Sequence, residues 1–272
     1  MKTRIISGTC IFAFLVLTVL TSGIPFLLNA IMAVVAAGAI YEILKIGGLS
    51  CRKTLTAGAM VFAGALVFCS DPGFLWHRQI LTLATFLLIL LTFAYYLKGY
   101  KNTTLPDLAF GLIMTLLVAY FFSAVVLTRR TEEGFWNLIL IFLLAWVPDT
   151  GAYFSGALFG KHKLAPVISP KKTVEGAVGG LIVCVGVSYL YAWLVGLTGA
   201  GVNYGIVLVY AVVGTLISIL GDLTASLIKR HYNVKDYGNL IPGHGGIMDR
   251  FDSIWFVAPF VYLMLQICPI FN

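Results

Sequence analysis

Charge is scarce in this sequence. Asp, Glu, Lys and Arg make up 11% of the 272 residues, against roughly a quarter in an ordinary soluble domain. With 60% hydrophobic residues, that shortage excludes a single solvent-facing globule. Apolar spans of about 20 residues with short connections fill the length and leave no room for a separate soluble domain. Cysteine is sparse and scattered: the five, at positions 10, 51, 69, 184 and 268, form no CxxC. They read as small core residues, not as disulfides or thiolate metal ligands. No basic stripe interleaved with aromatics occurs, so the net charge of +7 does not point to nucleic acid. A P-loop is missing too. Gly156-Ala-Leu-Phe-Gly160-Lys161-His162 has three intervening residues where four are needed, and His in place of Ser or Thr.

Long apolar runs are what the chain does contain. Spans fall near 1–22, 24–46, 54–70, 79–97, 107–127, 135–160, 174–197, 204–228 and 251–270. The first resembles a secretory signal, but a second span follows after Gly23-Ile24-Pro25, so the two are expected to form a retained hairpin. The expectation is an all-α polytopic membrane protein of about nine transmembrane helices. It forms a single membrane-embedded domain over residues 1–272, with 1–134 mainly scaffold and 135–272 carrying catalytic helices and loops. With the N-terminus cytoplasmic and the C-terminus outside, fifteen of the eighteen Lys and Arg fall on the inner side. Only Arg78, Arg129 and Arg130 fall outside, as the positive-inside rule requires. The expected location is the cytoplasmic membrane, with the polar loops facing the cytoplasm.

Reactive chemistry is thin in the first half. Glu42 lies three residues before Lys45, which favours an i,i+3 pair over a functional acid. Asn102-Thr103-Thr104 matches a glycosylation tripeptide but falls in an expected cytoplasmic loop. Phe93, Tyr95, Tyr96 and His77 read as interfacial residues.

The second half differs. Asp149, after Pro148 in an apolar run, is an intramembrane carboxylate, and such a group is costly unless partnered or used. The segment from Lys161 to Gly176 then brings Lys161, Lys163, Lys171 and Lys172 ahead of a helix that Thr173 would cap, with Glu175 in its first turn. That is a plausible anion cradle; ordinary positive-inside charge is the plainer alternative.

The densest stretch is Gly221–Ser253, with four of the eleven acidic residues and four of the eighteen Lys and Arg. Ser226, Lys229 and Arg230 share one helical face, and Asp222 lies one turn earlier. Pro242-Gly243-His244-Gly245-Gly246 breaks the helix and exposes backbone N–H groups suited to anionic oxygens. Asp249, Arg250 and Asp252 follow. Carboxylates able to hold Mg²⁺ beside cations and free N–H groups are what phosphoryl or nucleotidyl transfer requires. On spacing alone, a loop whose ion pairs merely cap two helices remains the alternative.

Ser226-x-Ile228-Lys229-Arg230, then Lys235-Asp236-x-Gly238, then Pro242-x-His244-Gly245-Gly246-x-x-Asp249-Arg250-x-Asp252 resembles the signature of the phosphatidate cytidylyltransferases. AYFSG, KLAP and SPKKTVEG upstream are similar to the same family, so the resemblance covers roughly residues 135–270. Ala225 departs from it, standing where many relatives carry an acidic residue.

The resemblance implies transfer of CMP from CTP to phosphatidic acid, a membrane lipid, in a Mg²⁺-dependent reaction with a one- or two-cation site. It implies catalytic roles for Asp222, Ser226, Lys229, Arg230 and Asp249. The expected metal ligands are Asp222 and Asp249, with Asp149 and Asp252 as further ligands or supports. Lys171, Lys172, Thr173, Lys235, Gly243, His244, Gly245, Gly246 and Arg250 are expected at the substrates. For His244, a turn-locking role stands beside a phosphate contact, while His162 and His231 read as solvated. A CTP-dependent lipid kinase and a transporter are the rival classes. Gly176, Gly179, Gly180 and Gly186 form small-residue faces for packing within one chain or between the copies of a homodimer.

Overall fold

A computed structural model of the protein describes residues 2–99 and 104–271, with side chains in the first helix from Ser7 onward. Lys101, the Asn102-Thr103 part of the glycosylation-like tripeptide, and the side chains of Lys2 and Arg4 lie outside the described residues. The elements in order are α1 (Lys2–Leu20), α2 (Leu27–Ile46), α3 (Lys53–Cys69), α4 (His77–Gly99), α5 (Leu105–Arg129), α6 (Gly134–Phe159), β1 (Lys163–Ala165), β2 (Ser169–Thr173), α7 (Val174–Gly196), α8 (Tyr204–His231), the short α9 (Met248–Phe251) and α10 (Ile254–Ile267).

Every expected apolar run contains a helix. Among the described residues, six helices (α2 and α4 to α8) are long and apolar enough to cross a membrane by length and composition. Ser7–Leu20, α3 and α10 are shorter apolar helices. The chain is a mainly helical integral membrane protein. The hairpin of β1 and β2 stands where the sequence suggests a loop. Its strands run antiparallel, pairing Lys163 with Thr173 and Ala165 with Ser169, and Val174 N–H donates to the His162 carbonyl at 2.9 Å to lead into α7.

The chain divides into two compact units, one comprising the residues up to Arg130 with Tyr232–Arg250, the other Thr131–His231 with the residues from Phe251 onward. The signature loop at 232–250 is therefore part of the first unit. There, α2 packs on α3 and α5 through small residues, Ala36, Ala39, Ala63 and Ala119, all wholly buried. Lipid gives helices no hydrophobic reason to associate, so close packing of small side chains supplies the attraction. A Cβ on Gly64 would lie 3.5 Å from the Ala33 carbonyl oxygen, a measure of how near those two backbones run. By contrast α4 fully buries only Leu88 and Thr92. Near the start of α2, Asp71 pairs with Arg130 at 2.5 Å, and Asn29 donates to the Phe68 carbonyl at 2.9 Å.

In the second unit, a glycine seam joins α6 and α7. A Cβ on Gly180 would stand 2.5 Å from the Pro148 carbonyl oxygen, one on Gly176 2.8 Å from that of Ala152, and one on Gly179 would collide with Ser155. These three glycines thus serve packing within one chain; a Cβ on Gly186 would meet nothing within 4 Å. On α8 the buried residues Val207, Ala211, Gly214, Ser218, Gly221, Ala225 and Lys229 recur every three or four positions and form one face. Ser218 Oγ donates from it to the Ala145 carbonyl at 3.1 Å. All five cysteines are free, and Cys10 and Cys51 are exposed, so the expectation that they fill the core fails for these two. Each lies near a helix end or on an outward face, where a small apolar side chain meets no packing demand.

Candidate active site

Within the second unit, a cavity of about 280 Å³ is lined by Asp149, Tyr153, Ser169, Lys171, Lys172 and Asp222, among others. Three elements build it. The buried face of α8 fixes that helix so that Asp222, off that face, remains partly exposed. The hairpin carries Lys172, and Thr173 ends the strand by capping α7, its Oγ1 accepting from Gly176 N–H at 3.1 Å. The α6 helix brings Asp149.

Lys172 Nζ contacts Asp222 Oδ2 and lies 3.7 Å from Asp149 Oδ1, so a single ammonium serves two carboxylates. Burial acts to lower its pKa, but the Asp222 and Asp149 carboxylates outweigh burial and hold it above the usual lysine value. Asp252 adds a weaker attraction. Ser253 Oγ donates to Asp149 Oδ2 at 3.0 Å, and Ser253 N–H to Asp252 Oδ1 at 3.0 Å. Ser226 Oγ approaches Asp222 Oδ1 at 3.5 Å. Arg230 Nε donates to the Ile168 carbonyl at 3.3 Å, tying α8 to the hairpin, while Lys229 is 9% exposed. His162 is not simply solvated: its Nδ1 lies 2.6 Å from Glu175 Oε1, because Glu175 in the first turn of α7 also accepts from Lys161 and His162 N–H.

Within the first unit, the signature loop is closed by Ile241 N–H donating to the Gly245 carbonyl at 2.9 Å and His244 N–H to that of Ile241 at 3.0 Å. Gly243 and Gly245 have φ of 77° and 82°, a left-handed conformation that favours glycine. Asp249, 6% exposed, accepts through Oδ2 from Tyr237 N–H at 2.8 Å and Gly246 N–H at 3.0 Å. A cavity of about 430 Å³ is lined by Lys235, Asp236, Asn239, His244 and Arg250, among others. Arg250 Nε is buried with no hydrogen-bond partner among the described residues. Ser7 Oγ donates to the Pro242 carbonyl at 2.9 Å and lies 2.7 Å from His244 Nδ1, so His244 both braces the loop and borders the cavity.

The structure thus gathers the expected residues into two sets. Asp149, Lys171, Lys172, Thr173 and Asp222 line one cavity, with Ser226 and Ser253 touching its carboxylates. Lys235, Gly243, His244, Gly245 and Arg250 line the other, with Asp249 and Gly246 forming its frame.

A model of the cytidylyltransferase family matches residues 2–268 of this chain. The chain belongs to that family. It is similar to the phosphatidate cytidylyltransferase of Staphylococcus epidermidis, with 33% identity over 266 residues, 97% of this chain and 99% of the relative. It is similar also to that of Bacillus subtilis, with 30% identity over 269 residues and 98% of each chain. The family likeness extends through the first five helices, beyond the region the signature alone delimits.

In this cytidylyltransferase-family chain Ser253 carries no signal of its role beyond its position beside Asp252, the last signature aspartate, and Glu42 is not paired with the lysine that its spacing favours. Glu42 faces Ile247 and Met248 and has no ion pair with Lys45 among the described residues. The i,i+3 expectation fails because two backbone N–H donors are better partners for a buried carboxylate than a lysine at the helix end.

Among the described residues, no group of three or more His, Cys, Asp or Glu is arranged to hold a metal ion. In the second-unit cavity two carboxylates, Asp149 and Asp222, converge on one ammonium. Magnesium usually takes one or two carboxylates and completes its octahedron with phosphate and water oxygens, so this pair fits the ion together with a nucleotide.

Proposed function

We propose that the protein transfers CMP from CTP to phosphatidic acid, yielding CDP-diacylglycerol and pyrophosphate at the cytoplasmic face of the membrane. The family match across nearly the whole chain, with relatives named phosphatidate cytidylyltransferase, carries this reading. A phosphate oxygen of the lipid attacks the α-phosphorus of CTP, and the bond from that phosphorus to the α,β-bridging oxygen breaks. Pyrophosphate leaves. The nucleophile is already anionic, so the protein's task is to neutralise charge and align the groups.

In this reading Asp222 and Asp149 hold Mg²⁺, with Ser253 fixing Asp149 and Asp252 in support. When bound, the ion would neutralise phosphate charge and polarise the α-phosphoryl group. Lys172 moves from the carboxylates onto a phosphate oxygen, and Lys171 and Ser226 add donors. Lys229 and Arg230 contribute positive charge. Lys235, His244, Arg250 and the turn at Gly243–Gly246 bind the triphosphate. Asp249 is also assigned to metal; because its Oδ2 already holds Tyr237 and Gly246, cation binding and loop geometry are then coupled.

The test is pyrophosphate release by purified protein in detergent. Release that requires CTP, phosphatidic acid and Mg²⁺ together, and collapses in Asp222→Asn, supports the reading. Release of CDP with a lipid alcohol would replace it with a kinase. Solute uptake into sealed proteoliposomes without nucleotide turnover would replace it with a transporter.

A further inference from the structure

Glu42 lies near the end of α2, about 200 residues before the signature loop in sequence, and is 5% exposed. Its Oε1 accepts from Ile247 N–H at 2.9 Å and its Oε2 from Met248 N–H at 2.9 Å. Two glycines of the signature make room for it. A Cβ on Gly238 would stand 2.5 Å from Glu42 Oε1, and a Cβ on Gly246 would collide with both carboxylate oxygens. The loop is thus gripped by two acids. Asp249 takes Tyr237 and Gly246 N–H; Glu42 takes the next two N–H groups along the chain.

A buried carboxylate with two backbone donors and two vacated Cβ positions is a built seat, and ordinary helix packing does not call for one. What the seat determines is the path of the backbone from Gly238 to Met248. His244 on that path and Lys235 and Arg250 at its two ends line one cavity.

We propose that Glu42 is a positioning residue for the nucleotide-binding loop. By holding Ile247 and Met248 it sets the turn so that the loop's cations share a cavity for the phosphates of CTP. The phosphate-binding part of this proposal rests on the function proposed above; the anchoring part does not.

The experiment compares the wild type with Glu42→Gln, and with Gly238→Ala, which keeps the carboxylate but pushes a methyl group against it. Hydrogen exchange of peptides covering 241–250 reads the anchor directly. Glu42→Gln retains one acceptor oxygen but turns an NH₂ group toward the second N–H donor. Exchange at Ile247 and Met248 is expected to quicken about tenfold, as for loss of one charge-assisted hydrogen bond, while peptides from α5 stay unchanged. In the same preparations KM for CTP should rise by about tenfold, with kcat within about twofold of wild type. A general loss of structure would lower kcat and quicken exchange everywhere.

Unchanged loop exchange in both variants would overturn the anchor. Faster exchange with an unaltered KM for CTP would overturn the positioning role. If Glu42→Gln does not fold, Gly238→Ala decides by the same two readouts. A wild type without nucleotidyl transfer would sink the proposed function, and the exchange measurement would still decide the anchor.

Discussion

Lys172 is the residue on which the second-unit site turns. Two carboxylates sharing one ammonium form an arrangement that a divalent cation and a phosphate can take over together, and Lys172→Met should therefore lower kcat by about 10²–10³-fold, as for loss of an electrostatic stabiliser. A steady-state assay with CTP and phosphatidic acid checks this. The contact also has a pH signature. Because the folded-state pKa of Lys172 is raised, its stabilising contact is fully present below the ordinary lysine value and is lost as pH rises through the raised one. The melting-temperature difference between wild type and Lys172→Met should hold constant from about pH 7 to 9 and shrink only above roughly 10.4. The sequence displayed Lys172, Asp149 and Asp222 as individual charges. Which of them touch was not legible, because residues 149, 172 and 222 lie on three elements whose contacts are set by packing. Glu42 shows the same limit more sharply: local spacing offered Lys45 as its partner, and no local signal reveals a donor some 200 residues away.

At the scale of elements, the apolar runs located the helices to within a few residues, since an unbroken apolar run in lipid has few ways to satisfy its backbone other than a helix. The hairpin at 163–173 was hidden because two prolines and four nearby lysines give the composition of a loop. Pro170 can lie in a strand of a two-stranded hairpin because its missing N–H falls on an edge. The seam between α6 and α7 is the element on which the position of Asp149 depends. Gly180→Leu should lower thermal stability in detergent, by about 1–3 kcal/mol if the helices can part, because its Cβ would enter the space of the Pro148 carbonyl. Thr173→Ala, removing the cap of α7, should cost about 1 kcal/mol. Melting curves of the two variants test both, and the glycine change should also depress activity, since it displaces α6 from the hairpin.

For the whole molecule, the positive-inside asymmetry predicts nine crossings, with the N-terminus cytoplasmic and the C-terminus outside. Membrane-impermeant thiol labelling of single cysteines placed at each terminus, in a cysteine-free background, should label the C-terminal site in intact cells and the N-terminal site only after permeabilisation. Labelling of both termini from one side would require an even number of crossings. Nucleotidyl transfer and phosphorylation differ in which phosphorus of CTP reaches the lipid, and nucleotide labelled at one position at a time distinguishes them. With CTP carrying ³²P at the α or the γ position, phosphatidic acid and Mg²⁺, the α label should enter the lipid fraction while the γ label leaves as pyrophosphate. Entry of the γ label into lipid, with the α label staying in water, would contradict nucleotidyl transfer and establish a kinase in its place.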